Sequence, residues 1–138
     1  MTLRMPDLRD ESGAAAIEFA IAVPVLMMMI WGIFQIAMVL QANAGVQQAL
    51  GQGARYATIF DTSTNSRPTD DQISARITAA KFGVGNGTWH TPVIDDSNEA
   101  SDGYIDISVE YDVQTDFLLF AGPDVTLSHS KRVYTQTA

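Results

Sequence analysis

From Phe19 to Leu40 the chain carries a single polar side chain, Gln35. That run of 22 residues makes a helix of about 33 Å, against a hydrocarbon core of roughly 30 Å. A secretory signal peptide has an apolar region of roughly 7–15 residues followed by a small-residue cleavage site. This run is longer, and Gln41-Ala42-Asn43-Ala44 is a weak candidate for such a site. The sequence therefore predicts a retained transmembrane helix. Pro24 lies inside it and marks a possible kink, because proline withholds one backbone N–H from the helical ladder.

Arg4 and Arg9 precede the apolar run, and no further Lys or Arg follows until Arg55. Orientation follows basic residues near the ends and largely ignores acids, so the N-terminus is expected in the cytoplasm and the C-terminal part outside it. From Gln41 onward there are six Lys/Arg against twelve Asp/Glu, within a net charge of -8 for the whole chain. That balance argues against nucleic acid and against anionic lipid as partners of the exported part. With no cysteine, disulfides, thiolate chemistry and Cys-based metal sites are excluded.

Beyond the membrane run, residues 41–60 read as a continuation of the same helix into water. Gly45, Ala49, Gly53 and Ala57 form a stripe of small residues at a spacing of four, which allows close approach of another element. Val46, Leu50 and Ala54 make an adjacent apolar row. Packing onto the protein's own sheet and packing against another subunit both fit this pattern. Asp61 to Thr69 is a loop by composition, and Thr69 with Gln72 forms a capping box that opens a short helix, Asp70 to Phe82, closed by Gly83 to Gly87. A strand is expected at Thr88 to Ile94, then a polar connection, Asp95 to Gly103.

Tyr104 to Val113 is the clearest strand. Ile105, Ile107, Val109, Tyr111 and Val113 alternate with Tyr104, Asp106, Ser108, Glu110 and Asp112, giving one buried and one acidic face. An apolar knot, Phe117 to Phe120, and a last strand or two over Val125 to Gln136 complete an α+β fold. It has one long helix, one short helix and a small antiparallel sheet.

No catalytic, cofactor or metal constellation is visible. His90 and His129 have no ligand spacing around them, and Asp95, Asp96, Asn98, Glu99 and Asp102 fail the calcium-loop pattern, since Ala100 and Ser101 occupy its fifth and sixth positions from Asp96. Met27, Met28 and Met29 read as lipid-facing filler and Trp31, placed mid-span, as a packing residue.

Glu18 is the exception to this plainness. A carboxylate at the membrane edge is costly and asks for a partner. Five positions before it stands Gly13, preceded by a short polar segment, Arg4 to Ser12. This resembles the processing site of type IV prepilins, in which a prepilin peptidase cuts after a glycine and leaves a glutamate as fifth residue. Glu18 followed by Phe19 has the form of the Flp/Tad branch. Ala16-Ile17-Glu18-Phe19-Ala20, Val23-Pro24-Val25-Leu26, Gln47-Gln48-Ala49 and Gly53-Ala54-Arg55-Tyr56-Ala57 together resemble a TadE-like pseudopilin.

The resemblance implies a leader at 1–13, a mature N-terminus at Ala14, a transmembrane helix at 14–40, its extension at 41–60 and an exported α+β domain at 61–138. It implies a minor pilin or pseudopilin that supports or primes assembly of a Flp/Tad-type pilus and is not an enzyme. Its partners would be the prepilin peptidase, other pilins or pseudopilins, Tad inner-membrane assembly proteins and the lipid bilayer, at the bacterial inner membrane with the domain in the periplasm. A cleaved α-amine and Glu18 of a neighbouring helix would pair, since two charges desolvated together cost less than either alone. Phe19 would sit in the same contact. The alternative is an uncleaved single-pass anchor whose domain binds another envelope partner.

Overall fold

The computed structural model describes residues 11–59, 66–82, 87–117 and 120–135. Most of the expected leader (1–10), part of the expected loop (61–65), most of the expected glycine-rich helix end (83–86), Leu118 and Leu119 of the apolar knot, and the last three residues (136–138) lie outside the described residues.

The first element, α1, is an unbroken helix Glu11–Ala57 of 47 residues, about 70 Å long. It runs on through Pro24. Helix α2 (Asp70–Ala79) opens with the expected capping box: the Thr69 hydroxyl accepts the Gln72 N–H, and the Gln72 amide oxygen accepts the Thr69 N–H at 3.1 Å. It ends three residues before Phe82, where Ala80 donates to Arg76 O and Ile77 O, and Lys81 leaves the helix to lie 4.8 Å over the Trp89 ring.

Four strands form the main sheet: β1 (Gly87–Trp89), β2 (Val93–Asp95), β3 (Tyr104–Val113) and β6 (Val125–Tyr134); between β2 and β3 lies a one-turn helix α3 (Glu99–Asp102), and between β3 and β6 a two-residue-per-strand hairpin, β4 (Asp116–Phe117) with β5 (Phe120–Ala121). β3 pairs antiparallel with β6 along its whole length, Tyr104 opposite Tyr134 and Val113 opposite Val125. Its other edge is shared by β1, at Tyr111 to Val113, and β2, at Asp106 to Ser108.

The single strand expected at Thr88 to Ile94 is therefore two. Gly87 to Trp89 and Val93 to Asp95 pair in registers that differ by one residue, so a bulge separates them. Pro92 sits in it, where a residue without an N–H costs the ladder nothing. Gly103 ends α3 in the left-handed region at φ 67°, a conformation that glycine adopts without a Cβ clash, and so turns the chain directly into β3.

The core is a sandwich of α1 and α2 on one face of the sheet. Val46, Ala49 and Leu50 of α1, Ile73 and Ile77 of α2, and Ile105, Ile107, Val109, Tyr111 and Val113 of β3 are buried together. Each fully buried Ile or Val contributes about 1.5–3 kcal/mol. The small-residue stripe faces inward: Ala49 and Ala57 are buried, as are Gly45 and Gly53. A Cβ on Gly53 would overlap Ile77 Cγ1 and stand 2.7 Å from Ile77 Cδ1, so glycine here sets the distance between α1 and α2.

The outer face of β3 is less acidic than its sequence suggests, because basic side chains from neighbouring segments lie across it. Arg132 donates twice to Asp106, at 3.0 and 2.9 Å, and stacks 3.9 Å over Tyr104. His90 Nε2 meets Asp112 at 2.7 Å. Away from the sheet, Arg67 holds both oxygens of Glu99 and one of Asp70, tying the start of α2 to α3. The Arg67 hydrogen bond keeps the Glu99 carboxyl below its ordinary range.

Gly53→Ala should destabilise the full chain by about 1–3 kcal/mol through overpacking, read by denaturant unfolding in detergent; an unchanged midpoint would show that Ile77 moves freely. The hydrogen bond that His90 donates to Asp112 raises the His90 pKa, while Thr126 and then His90 lower that of Asp112. The pair is thus intact between the two folded pKa values. It weakens as pH rises through that of His90, and as pH falls through that of Asp112. Asp112→Asn should return the His90 titration to the ordinary histidine range, measured by NMR; no downward shift would remove the pairing.

Candidate functional site

Helix α1 has two unlike halves. From Ala42 onward its inward face is core. Before that, most of its side chains are exposed, and the described residues that meet the rest of the domain lie between Trp31 and Val39. Ile17, Phe19, Ile21, Val25, Leu26, Met29, Ile33 and Ile36 are all exposed, and only 6 % of its most apolar stretch is buried. The helix is long and apolar enough to cross a membrane. A bare apolar surface of this extent marks an interaction site, with lipid, with protein, or with both.

Glu18 stands at the N-terminal end of this surface and is exposed. On its side of the helix, Ile21, Ala22, Val25, Leu26 and Met29 line a shallow apolar channel running from the carboxylate towards the middle of the helix. The spacing of three and four puts these residues on one stripe, with the small Ala22 next to the charge. A neighbouring helix laid along that stripe would meet Glu18 at its end.

Gly13 and Ala14 lie within α1, near its first turn, and Phe19 is exposed beside Glu18. Ala14 and Glu18 are four residues apart and so share a face of the helix. Pro24 is exposed, within the continuous helix, and leaves the Ala20 carbonyl without the N–H it would otherwise receive. Gly45, Ala49, Gly53 and Ala57, by contrast, belong to the domain's interior and are not part of the exposed surface. Among the described residues no group of His, Asp and Glu is placed to hold a metal ion.

Sequence reasoning missed how the two halves join. Trp31 Nε1 and Gln35 Nε2 both donate to the Asp116 carbonyl, at 2.6 and 2.7 Å, so hairpin β4–β5 is fastened to α1 well inside the apolar run. Gln35 is thereby 93 % buried, and its amide is satisfied at a place where an unpaired one would cost several kcal/mol in hydrocarbon. Two turns further along, Asn43 meets the His129 ring. The available signal was the lone glutamine in the apolar run with a tryptophan one turn before it.

Residues 13–55 match the family model described as TadE-like protein. The match covers the bare half of α1 and nearly all of its buried half, and it stops short of α2 and the sheet. No curated protein and no solved structure matches the chain.

Proposed function

The chain is TadE-like over residues 13–55, and from that premise we propose that it is a minor pilin or pseudopilin supporting or priming assembly of a Flp/Tad-type pilus. The observation that carries this is the bare apolar half of α1 with Glu18 at its end, held on a rod whose other half is anchored in a folded domain. A shaft subunit needs little beyond the helix. Here the sheet domain gives the helix a large head, which suits a subunit that starts or supports a filament.

In this reading a prepilin peptidase cuts between Gly13 and Ala14. The segment around Gly13 must unwind to enter a protease, and glycine lowers the cost by about 1 kcal/mol relative to alanine. Cleavage leaves a positive α-amine at Ala14. At a helix N-terminus that charge is unfavourable, and a carboxylate nearby offsets it. Glu18 supplies the carboxylate, to its own amine or to that of a neighbour laid along the Ile21–Met29 stripe. Pairing across subunits fixes their axial register, with Phe19 packed beside the pair. The helix spans the inner membrane with its N-terminus in the cytoplasm, and α2 and the sheet lie in the periplasm. Partners are the peptidase, other pilins or pseudopilins, and Tad inner-membrane assembly proteins.

A second reading, an uncleaved single-pass anchor for an envelope-binding domain, is favoured by one observation. Helix α1 already runs continuously through Gly13 and Ala14.

The two readings separate on the intact mass of the protein from its native membrane. Processing gives a chain starting at Ala14, and Gly13→Leu gives a slower-migrating full-length form; a wild-type chain starting at Met1 supports the anchor. Glu18→Ala should leave export and cleavage in place and reduce piliation at least tenfold. Normal piliation in that variant would remove the pairing role.

A further inference from the structure

We propose that hairpin β4–β5 is a membrane foot: it rests on the outer leaflet beside α1 and fixes how deep the helix sits and how the domain stands on the bilayer. This rests on the reading of α1 as a membrane span.

The argument is one of level along the helix. The domain closes onto α1 from the C-terminal end downward. Gly53 meets Ile77, Asn43 meets His129, and Trp31 and Gln35 hold Asp116. At the same level, the Phe117 ring carbon Cε1 lies 3.9 Å from where a Cβ on Gly32 would stand. Yet exposed apolar side chains continue above this level: Ile36 is 62 % exposed and Leu40 63 % exposed. Leu40 stands about 7.5 Å beyond Gln35 along the axis. A bilayer that reaches these side chains must also reach the hairpin, because the hairpin is held at a lower level on the same rod.

The hairpin is built for such a place. Its strands are two residues each, and its backbone is closed by Gly122 N–H to Thr115 O at 3.0 Å and by the Thr115 hydroxyl to Pro123 O at 2.6 Å. It thus presents few free backbone groups at its base. Between hairpin and helix runs an apolar cleft walled by Ile36, Val39 and Leu40 on one side and by Phe117, Pro123 and Val125 on the other. Asp116 and Asp124 are the hairpin's charged residues, both exposed, one at each side of its base. They set the limit of insertion, with carboxylates among the headgroups and the Phe117 ring below them.

Counting back from this level also places the span. A hydrocarbon core of about 30 Å takes about 20 residues, so an outer edge near Gln35 puts the inner edge near Ala15. Trp31, whose ring packs on Phe34 at 5.8 Å, then falls close to the outer interface, where indoles are favoured. Glu18 falls just inside the inner edge.

The native chain has no cysteine, so single sites can be labelled directly. Nitroxide-labelled Ala121→Cys on the hairpin, Met27→Cys on the exposed span and Ser128→Cys on β6 would be compared in full-length protein in phosphatidylethanolamine–phosphatidylglycerol vesicles. The readout is collision with oxygen, which enriches in lipid, against a water-soluble nickel chelate. The foot predicts Ala121 between Met27 and Ser128, with oxygen favoured over nickel at least threefold relative to Ser128. Equal values at Ala121 and Ser128 would place the hairpin in water and overturn the proposal. Shielding of Ala121 from both probes would mean that protein covers it, and would overturn lipid contact. Nickel access at Met27 would overturn the membrane span itself, and the foot with it.

Native Trp31 fluorescence in a Trp89→Phe variant gives an independent reading. Lipids brominated high on the acyl chain should quench it about twofold more than those brominated near the chain end. The reverse order would put Trp31 in mid-membrane and contradict the foot.

Discussion

The structure depends on one constraint: a single helix serves as core for the domain and as bare apolar rod beyond it. Helical rigidity couples the two. The face of α1 that carries Val46, Ala49 and Leu50 is fixed against Ile73, Ile77 and β3, so the direction in which Glu18 and the Ile21–Met29 stripe point is fixed as well. Close packing is what makes that coupling stiff. Gly53 lets α2 approach so tightly that α1 has little freedom to roll on the sheet.

The contacts nearest the bare half combine hydrogen bonds with the Phe117 ring, and those further along are mainly apolar. Trp31 and Gln35 spend their side-chain donors on one carbonyl of the hairpin, and Asn43 engages His129. Hydrogen bonds gain strength where water is scarce, while apolar packing gains least there, because lipid is as apolar as leucine. The order of contacts along α1 is therefore what a rod passing from a protein interior into a membrane requires.

Much of this was legible in the sequence. Alternation at Tyr104 to Val113 gave β3 to the residue, the Thr69–Gln72 pattern gave the start of α2, and the apolar run gave α1. The residues that suggested a TadE-like helix run from Gly13 to Ala57, and the family model matches 13–55 of them. Legibility failed where partners are distant in sequence. The spacing of Gly45, Ala49, Gly53 and Ala57 showed that something packs closely there, but α2 as the neighbour of Gly53 is a tertiary fact. The break at Pro92 was hidden because the bulge shifts register by a single residue. The acidity of the β3 face was overstated because Arg132 arrives from β6 and His90 from just beyond β1. Trp31 was read by its position in the apolar run, although its partner is 85 residues away.

The central claim is that the first half of α1 is left bare for neighbouring helices while the second half is occupied by the protein's own domain. Disulfide trapping in the native membrane tests it most directly, with single cysteines placed at Ala22, Val25, Ala49 and Gly45 in turn. The account predicts crosslinked species from Ala22 and Val25 and none from Ala49 or Gly45. Crosslinks confined to Ala49 and Gly45 would mean that the small-residue stripe faces another subunit, and would contradict it.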